Sequence, residues 1–233
     1  AAIARRLGVP HVVDLRDPWV GSFTRRYATP LHRAADRHLE RRVLAASAAI
    51  VTVTDRIAEM YRERYPGARV LVIPNGFDPA DLPAATALPH DGFVLAYTGI
   101  FGGPRQPASF LAGVALAEQH QPSLPNDLRI VVAGPGAEFA DAARSAGVRS
   151  RVDALGYVAH DRSLEVLAGA DVAVLILSAG EESRVSLSGK IFEYVGMRKP
   201  VLAVVGNGPA AELVRTLDGG RVADFDAPTS VAA

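Results

Sequence analysis

Short apolar runs alternate with helical patterns along the 233-residue chain, and this alternation restricts the folds that it can adopt. A strand that is apolar throughout is covered on both faces, as in parallel sheets flanked by helices. The sequence therefore predicts an α/β protein with parallel sheets and helices on both faces. The strand candidates are residues 11–15, 49–53, 69–73, 94–98, 128–133, 152–155, 172–177 and 201–205.

The pattern also predicts two lobes. Residues 74–92 are rich in proline, aspartate and alanine and lack a periodic apolar pattern, which is typical of an interdomain linker. We therefore predict a first lobe over residues 1–81 with three strands and a second lobe over residues 82–233 with five or six. The first lobe is thin, and the chain opens within a helical pattern at residues 1–8.

Composition argues against several classes of function. Basic and acidic residues both number 25, so the overall charge does not indicate nucleic-acid binding, which needs a basic surface. The chain has no cysteine, which excludes disulfides and thiol catalysis and fits a cytoplasmic location. Asp224 and Asp226 match an Asp-x-Asp metal-binding pattern, but they follow the last predicted strand and precede Pro228, where an acidic helix cap is the ordinary explanation. No histidine or carboxylate cluster elsewhere has the spacing of metal ligands, so we predict no catalytic metal and no cofactor.

One stretch is locally basic. Between Arg25 and Arg42 the sequence has six arginines and two histidines against only Asp36 and Glu40. The pattern predicts a helix here. Its predicted apolar side is formed by Leu31, Ala35, Leu39 and Val43. One interpretation is peripheral contact with an anionic membrane or a phosphorylated acceptor, and the other is an ordinary solvated face.

Residues 188–204 place a lysine and a glutamate near the start of a predicted helix. Ser188 is the predicted N-cap, and Lys199 and Pro200 are predicted to end the helix before a buried strand. Lys190 and Glu193 are three residues apart and therefore share one face. A lysine at a helix N-terminus suits a diphosphate, and a glutamate can accept bonds from both hydroxyls of a ribose. The spacing taken alone favours a solvated Lys/Glu pair on a surface helix.

This segment resembles the donor-binding helix of the GT-B-fold retaining glycosyltransferases of group 1, the family-4-like enzymes. The segments PHVVDLRDPW, IPNGFD, YTGIFGGPR, VVAGPG and ALGYV follow in the order of the family's corresponding segments. The resemblance implies two Rossmann-like lobes and transfer of a sugar from a nucleotide diphosphate sugar to a carbohydrate, lipid or natural-product acceptor, with retention. It also implies that the family's opening strand, its glycine-rich turn and its last helices lie outside this sequence, which leaves the first lobe incomplete.

The resemblance assigns roles to individual residues. Glu193 stands where the family has its ribose-binding glutamate, and Arg105 lies in the loop where the family has a basic diphosphate-binding residue. We predict that Arg105 and Lys190 are catalytic, because they would stabilise charge on the departing diphosphate. The predicted donor-binding residues are Gly99, Gly102, Gly103, Gly134, Tyr157, Val158, Ser188, Gly189, Ile191 and Glu193.

The sequence departs from the family pattern at one position. Many members carry a second acidic residue eight positions before the ribose-binding glutamate, and Val185 stands there in this chain. The nearest acids are Glu181 and Glu182, so a role for either beside the transferred sugar is in doubt.

In the first lobe, Asp17 and Trp19 follow a predicted strand. Open α/β sheets bind ligands at this edge, so we predict that Asp17 and Trp19 lie on the acceptor side of the cleft between the lobes. The alternative is a salt-bridged turn capped by a packed indole.

Other functions stay open on the sequence. Gly134, Pro135 and Gly136 partly match a dinucleotide-binding fingerprint, with Asp153 about 20 residues on as a ribose partner. The chain could therefore be an NAD-binding oxidoreductase or regulatory module, or a non-catalytic nucleotide-binding half. A sugar-nucleotide epimerase would need histidines and carboxylates around the sugar, whereas the six histidines here are scattered.

Overall fold

A computed structural model describes residues 1–22, 25–80, 82, 92–101, 106–135, 138–178 and 180–232. The chain divides into two compact units. The first unit is Ala1–Asn75 with Val185–Leu187, and the second is Gly76–Arg184 with Ser188–Ala233. Each contains one parallel sheet, so the predicted α/β class is confirmed. Among the helices of the described residues, none is both long and apolar enough to cross a membrane.

The first unit is built on a three-stranded sheet in the order β1-β2-β3. Thr54 is the N-cap of helix α3 (Asp55–Arg64), because its hydroxyl accepts a hydrogen bond of 3.3 Å from the Ile57 N–H. Helix α3 packs on the sheet through Ile57 and Tyr61, which are both fully buried. The elements are α1 (Ala2–Leu7), β1 (Val12–Leu15), α2 (Pro30–Ala45), β2 (Ala49–Thr52), α3 (Asp55–Arg64) and β3 (Val70–Val72).

Helix α2 does not bury the side that its apolar pattern predicted. Leu31 and Leu39 are 76% and 49% exposed. The buried residues of the helix are Asp36, Glu40 and Leu44. The prediction was wrong because it assigned the inner face from hydrophobicity alone. A carboxylate can occupy a buried face when the surrounding groups donate hydrogen bonds to it.

Glu40 shows how this burial is stabilised. Its carboxylate accepts hydrogen bonds from the Val20 N–H at 2.7 Å, from Arg64 at 2.8 Å and from the Tyr65 hydroxyl at 2.6 Å. Arg64 also forms the ion pair that balances its charge. Helix α2 is therefore attached to α3 and to the chain after β1 through one fully buried carboxylate.

The second unit is built on a six-stranded parallel sheet in the order β6-β5-β4-β7-β8-β9. In the unit's own sequence order this is 3-2-1-4-5-6, the arrangement of a doubly wound sheet, whose order reverses between β4 and β7. The strands are β4 (Phe93–Thr98), β5 (Leu128–Ala133), β6 (Arg151–Gly156), β7 (Val172–Ile176), β8 (Val201–Val205) and β9 (Gly220–Asp224). The helices are α4 (Ala108–His120), α5 (Leu124–Asp127), α6 (Glu138–Ser145), α7 (His160–Ala168), α8 (Glu181–Val185), α9 (Lys190–Gly196), α10 (Pro209–Thr216) and α11 (Thr229–Ala232).

Strand β9 was not among the strand candidates. It pairs with β8 at the end of the sheet, and Ala223 is its one buried residue. An edge strand covers less apolar surface than a central one and can carry charged side chains, here Arg221 and Asp224. The apolar run that identified the other strands is therefore missing from it.

Candidate functional site

A cleft of about 280 Å³ lies at the carboxyl ends of β4, β5 and β6 in the second unit. This is the edge where doubly wound sheets bind their ligands. Helix α9, which follows β7, forms another side of the cleft. The cleft brings together six of the residues predicted from the sequence: Gly99, Gly134, Tyr157, Val158, Lys190 and Glu193.

Two glycines let the strand ends come close together at the floor of the cleft. The Gly99 N–H donates to the Ala133 carbonyl at 2.8 Å, and the Gly134 N–H donates to the Gly156 carbonyl at 2.8 Å. Their φ angles are 139° and 154°. A Cβ atom on Gly134 would overlap the carbonyl oxygen of Gly99, and one on Gly99 would overlap the ammonium group of Lys190. Gly134 therefore requires glycine for space as well as for conformation, because the Gly99 carbonyl is backbone, whereas at Gly99 the Lys190 side chain could move and only the φ angle favours glycine.

Lys190 reaches the cleft from the first turn of α9. Its Nζ atom lies 4.5 Å from the centre of the Tyr97 ring and 3.3 Å from the Tyr97 hydroxyl. Tyr97 is buried and stacks on Phe101 at 4.1 Å, and Phe101 stacks on Phe139 at 5.2 Å. These stacked rings support the ammonium group, with a cation–π contact to the nearest of them. The positive charge is thereby held beside Gly99.

Glu193 lies one turn further along α9 and is half-buried. Burial raises the pKa of its carboxyl group, and the electrostatic influence of the neighbouring His160 and Lys190 side chains acts in the opposite direction. The site therefore contains a cation and a partly desolvated carboxyl on the same helix face, as the spacing predicted. His160 and Ser163 line the cleft as well, and neither was predicted as a site residue. Both residues lie in the first turn of the helix that follows β6, at the edge where such sheets bind ligands, and this position in the sequence could have identified them.

The start of α9 differs from the prediction. The helix begins after Gly189, and within the described residues no side chain caps it, so the assignment of Ser188 as N-cap is wrong. The N–H groups of Ile191 and Phe192 donate to the carbonyls of Ser188 and Gly189 at 3.2 and 3.1 Å, which tightens the first turn. Ile191 is fully buried, so its side chain belongs to the core. The helix ends at Gly196, before the predicted stop at residues 199 and 200.

Part of the predicted site lies outside the described residues. Gly102, Gly103 and Arg105 belong to the loop after β4 and fall in this group, as does Gly136 after β5. The role predicted for Arg105 therefore stays a prediction.

The predicted acceptor-side residues occupy different surroundings in the first unit. Asp17 is exposed, whereas Trp19 is partly buried. The Trp19 indole N–H donates to Asp36 at 3.1 Å, and its backbone N–H donates to the Tyr61 hydroxyl at 2.9 Å. Trp19 thus attaches the chain after β1 to helices α2 and α3, which favours the packed-indole alternative.

A second cleft of about 410 Å³ lies at the carboxyl ends of the first unit's strands. Asp14, Arg16 and Asn75 line it, and Arg16 donates to the Asn75 side-chain oxygen at 2.6 Å. Neither Asp14 nor Arg16 was predicted as a site residue. The alternation of a strand places residues two apart on one face, and this signal could have found them.

The remaining acidic candidates have structural partners. Glu182 is buried and accepts hydrogen bonds from Ser178, and the exposed Glu181 pairs with Arg184 at 3.0 Å. Asp153 pairs with Arg129 on the neighbouring strand and with Arg151 at 3.1 Å. A carboxylate engaged by two arginines is a poor ribose partner, and the dinucleotide interpretation of the turn after β5 therefore loses support.

The comparisons with protein families identify the chain. Residues 1–76 match a glycosyl transferase 4-like domain. Residues 92–233, more than half of the chain, match glycosyl transferases group 1. The chain belongs to the family of glycosyl transferases group 1. No curated protein matches the sequence significantly.

Solved structures share the fold at low sequence identity. Sucrose-phosphate synthase from Thermosynechococcus elongatus is 16% identical, with a TM-score of 0.63 over 99% of this chain and 60% of that chain. WaaG, a glycosyltransferase involved in lipopolysaccharide biosynthesis, is 18% identical, with a TM-score of 0.67 over 96% of this chain and 64% of WaaG. The E. coli trehalose-6-phosphate structure bound with UDP-2-fluoro glucose is 16% identical, with a TM-score of 0.66 over 98% of this chain and 60% of that chain. The fold is of the GT-B type, as predicted, and the chain spans less than two thirds of these proteins.

Proposed function

We propose that the second unit binds the nucleoside diphosphate of a sugar donor and that the chain acts in transfer of the sugar to an acceptor on the first unit. The observation that carries the proposal is the position of Lys190 and Glu193, side by side in the cleft at the strand ends. Family membership supports it. A structural neighbour bound with UDP-2-fluoro glucose supports this class of donor.

Each residue has a distinct role in the proposal. Lys190 binds the diphosphate, because its ammonium group lies beside the close backbone turn at Gly99, where an anion can approach. Glu193 accepts hydrogen bonds from the two ribose hydroxyls. Tyr157 is 84% exposed at the end of β6 and, with Val158, lines the side of the cleft assigned to the base.

The proposed reaction replaces the diphosphate on the sugar carbon by an acceptor hydroxyl, with retention of configuration and without a metal ion. The diphosphate leaves with the electron pair of the bond that breaks, so negative charge grows beside Lys190, and the acceptor hydroxyl loses its proton to an oxygen of the departing diphosphate as its own oxygen bonds the sugar carbon. A positive charge already fixed there stabilises the transition state without further reorganisation. The acceptor is a carbohydrate, lipid or natural product, and Arg105 is proposed to assist Lys190.

Substitutions on α9 test the two binding roles. Glu193→Ala is expected to weaken nucleoside binding by roughly 1.5–3 kcal/mol, the range for hydrogen bonds to a charged group. Lys190→Ala is expected to weaken diphosphate binding far more than nucleoside binding, by an amount that shrinks as salt increases. Isothermal titration calorimetry with the nucleoside and its diphosphate measures both losses. Glu181→Ala is the control, because it removes an exposed carboxylate that pairs with Arg184.

Two results would contradict these roles. One is an equal loss for nucleoside and diphosphate in the Lys190 variant, and the other is unchanged affinity in the Glu193 variant.

A prior thermal-shift comparison of UDP, GDP, ADP, TDP and NAD selects the ligand, because only a compound that binds the folded chain raises its melting temperature. Stabilisation by NAD alone would favour the dinucleotide alternative over sugar transfer.

The pH dependence of nucleoside binding tests the state of Glu193. Burial raises the pKa of this carboxyl above the ordinary glutamate value of about 4.3. In the free protein, Glu193 therefore becomes protonated at a higher pH than an exposed glutamate does. Only the ionised form accepts both ribose hydrogen bonds. Affinity is therefore expected to fall as the pH decreases through the raised pKa. Glu193→Gln should bind weakly at every pH and give a flat profile. A profile that keeps its slope in this variant would exclude Glu193 as the titrating group.

A further inference from the structure

A cavity in the first unit lies at the edge of the sheet opposite the carboxyl ends of its strands. It has a volume of about 720 Å³, within the range of roughly 300–1,000 Å³ that small-molecule sites occupy. Its walls are the second half of α2, the start of β2 and the turn between α3 and β3. Four arginines line this arginine pocket: Arg37, Arg41, Arg64 and Arg69.

The charge of the arginine pocket is not balanced locally. No acidic side chain is part of its lining among the described residues. Arg64 is paired with the buried Glu40. Arg37, Arg41 and Arg69 are exposed, and none of the three has an ion pair with a carboxylate of the described residues. The imbalance is local, because the whole chain has a formal net charge of zero.

Helix stability does not account for this arrangement. Arg37 and Arg41 are four residues apart on α2, and like charges at this spacing destabilise a helix by a few tenths of a kcal/mol. The helix dipole favours a basic residue in the last turn, and Arg42 supplies it outside the pocket lining. Two of the last carbonyls of the helix, those of Val43 and Leu44, are also satisfied without the arginines, since they accept from the N–H groups of Ala46 and Ser47.

We propose that the arginine pocket of the first unit binds a phosphate monoester, such as the phosphate group of a phosphorylated sugar, as a site separate from the donor cleft of the second unit. A guanidinium group is a planar fork that binds two phosphate oxygens together, and it stays charged at every physiological pH. Arg37 and Arg41 approach from the helix and Arg69 from the turn before β3, so the anion is held from two elements. The same chemistry is offered by a soluble sugar phosphate and by a phosphomonoester lipid headgroup.

Calorimetry of the whole chain with glucose 6-phosphate tests the proposal, with glucose as the uncharged comparison. Arg37→Gln/Arg41→Gln and the separate variant Arg69→Gln are each expected to bind glucose 6-phosphate roughly tenfold more weakly or worse. Arg42→Gln removes the same charge from the same helix outside the pocket, and its affinity should stay within about twofold of the wild type. Lys190→Ala should also stay within about twofold, which separates this site from the donor cleft.

A second experiment distinguishes a soluble sugar phosphate from a lipid headgroup as the source of the phosphate. Flotation with phosphatidylcholine vesicles containing phosphatidic acid measures lipid binding in the same variants. If the Arg37/Arg41 variant loses binding to the vesicles while its glucose 6-phosphate binding is unchanged, the pocket is assigned to a lipid headgroup. Equal losses in the Arg42 variant would show diffuse surface charge and overturn the proposal. Absence of binding to both probes by the wild type, or binding of glucose as tight as its phosphate, would overturn it too.

Discussion

Replacing Arg64 by methionine is expected to lower the free energy of unfolding of the first unit by about 3 kcal/mol, because it leaves the buried Glu40 without its cation. Methionine keeps much of the length of the side chain and removes the charge. Urea denaturation followed by tryptophan fluorescence measures the change. Trp19 is the one tryptophan of the sequence and lies in the first unit, so its emission reports the unfolding of that unit.

The size of this effect follows from what remains around Glu40 after the substitution. The Val20 N–H and the Tyr65 hydroxyl still donate to the carboxylate. Burial, and then the hydrogen bond to Glu40, raise the pKa of Tyr65 to about 12, so the phenol stays neutral and cannot replace the lost positive charge. Removing one member of a buried pair costs about 3–5 kcal/mol, and the two remaining donors place the expected value at the lower end.

Two further variants separate charge from packing. Arg56→Met breaks an exposed ion pair with Glu59 on the same helix and should change stability by less than about 0.5 kcal/mol. Adding Glu40→Gln to Arg64→Met removes the buried charge and should restore part of the lost stability. If Arg64→Met costs no more than Arg56→Met, the buried pair does not hold α2 in place.

The sequence was sufficient to predict eight of the nine strands of the described residues and one edge of a site. Central strands are covered on both faces, so their apolar runs are visible in the sequence, and β5 and β8 were predicted with the observed bounds. Lys190 and Glu193 share a helix face whatever surrounds them. Parallel strands bring their carboxyl ends together, which is why Gly99, Gly134 and the residues after β6 meet in one cleft.

The features that the sequence did not predict depend on partners distant along the chain. The inner face of α2 could not be deduced from its own pattern, because the group that makes the burial of Glu40 favourable is Arg64 on another helix. Ser188 has the chemistry of an N-cap, but the first turn of α9 satisfies the N–H groups of Ile191 and Phe192 through the carbonyls of Ser188 and Gly189. Trp19 follows a strand as predicted, and only the position of Asp36 shows that its indole is bound within the first unit.

Gly134→Ala is expected to lower the free energy of unfolding of the second unit by about 2–4 kcal/mol. Two costs add at this position. The added Cβ atom would overlap the Gly99 carbonyl oxygen, a backbone atom at the end of β4 that cannot rotate away. The φ angle of 154° is also one that residues with a side chain rarely adopt. Circular dichroism during urea denaturation measures the loss, since the sequence places its tryptophan in the other unit.

Gly147→Ala isolates the second of these costs, the backbone conformation. Gly147 also has a positive φ angle, 81°, but no heavy atom beyond its chain neighbours lies within 4 Å of an added Cβ. This control should therefore cost only about 1 kcal/mol, from backbone conformation. The difference between the two variants measures how tightly the ends of β4 and β5 approach. Equal losses would mean that the strand ends separate to accommodate the methyl group, and the floor of the proposed donor cleft would then be adaptable rather than fixed.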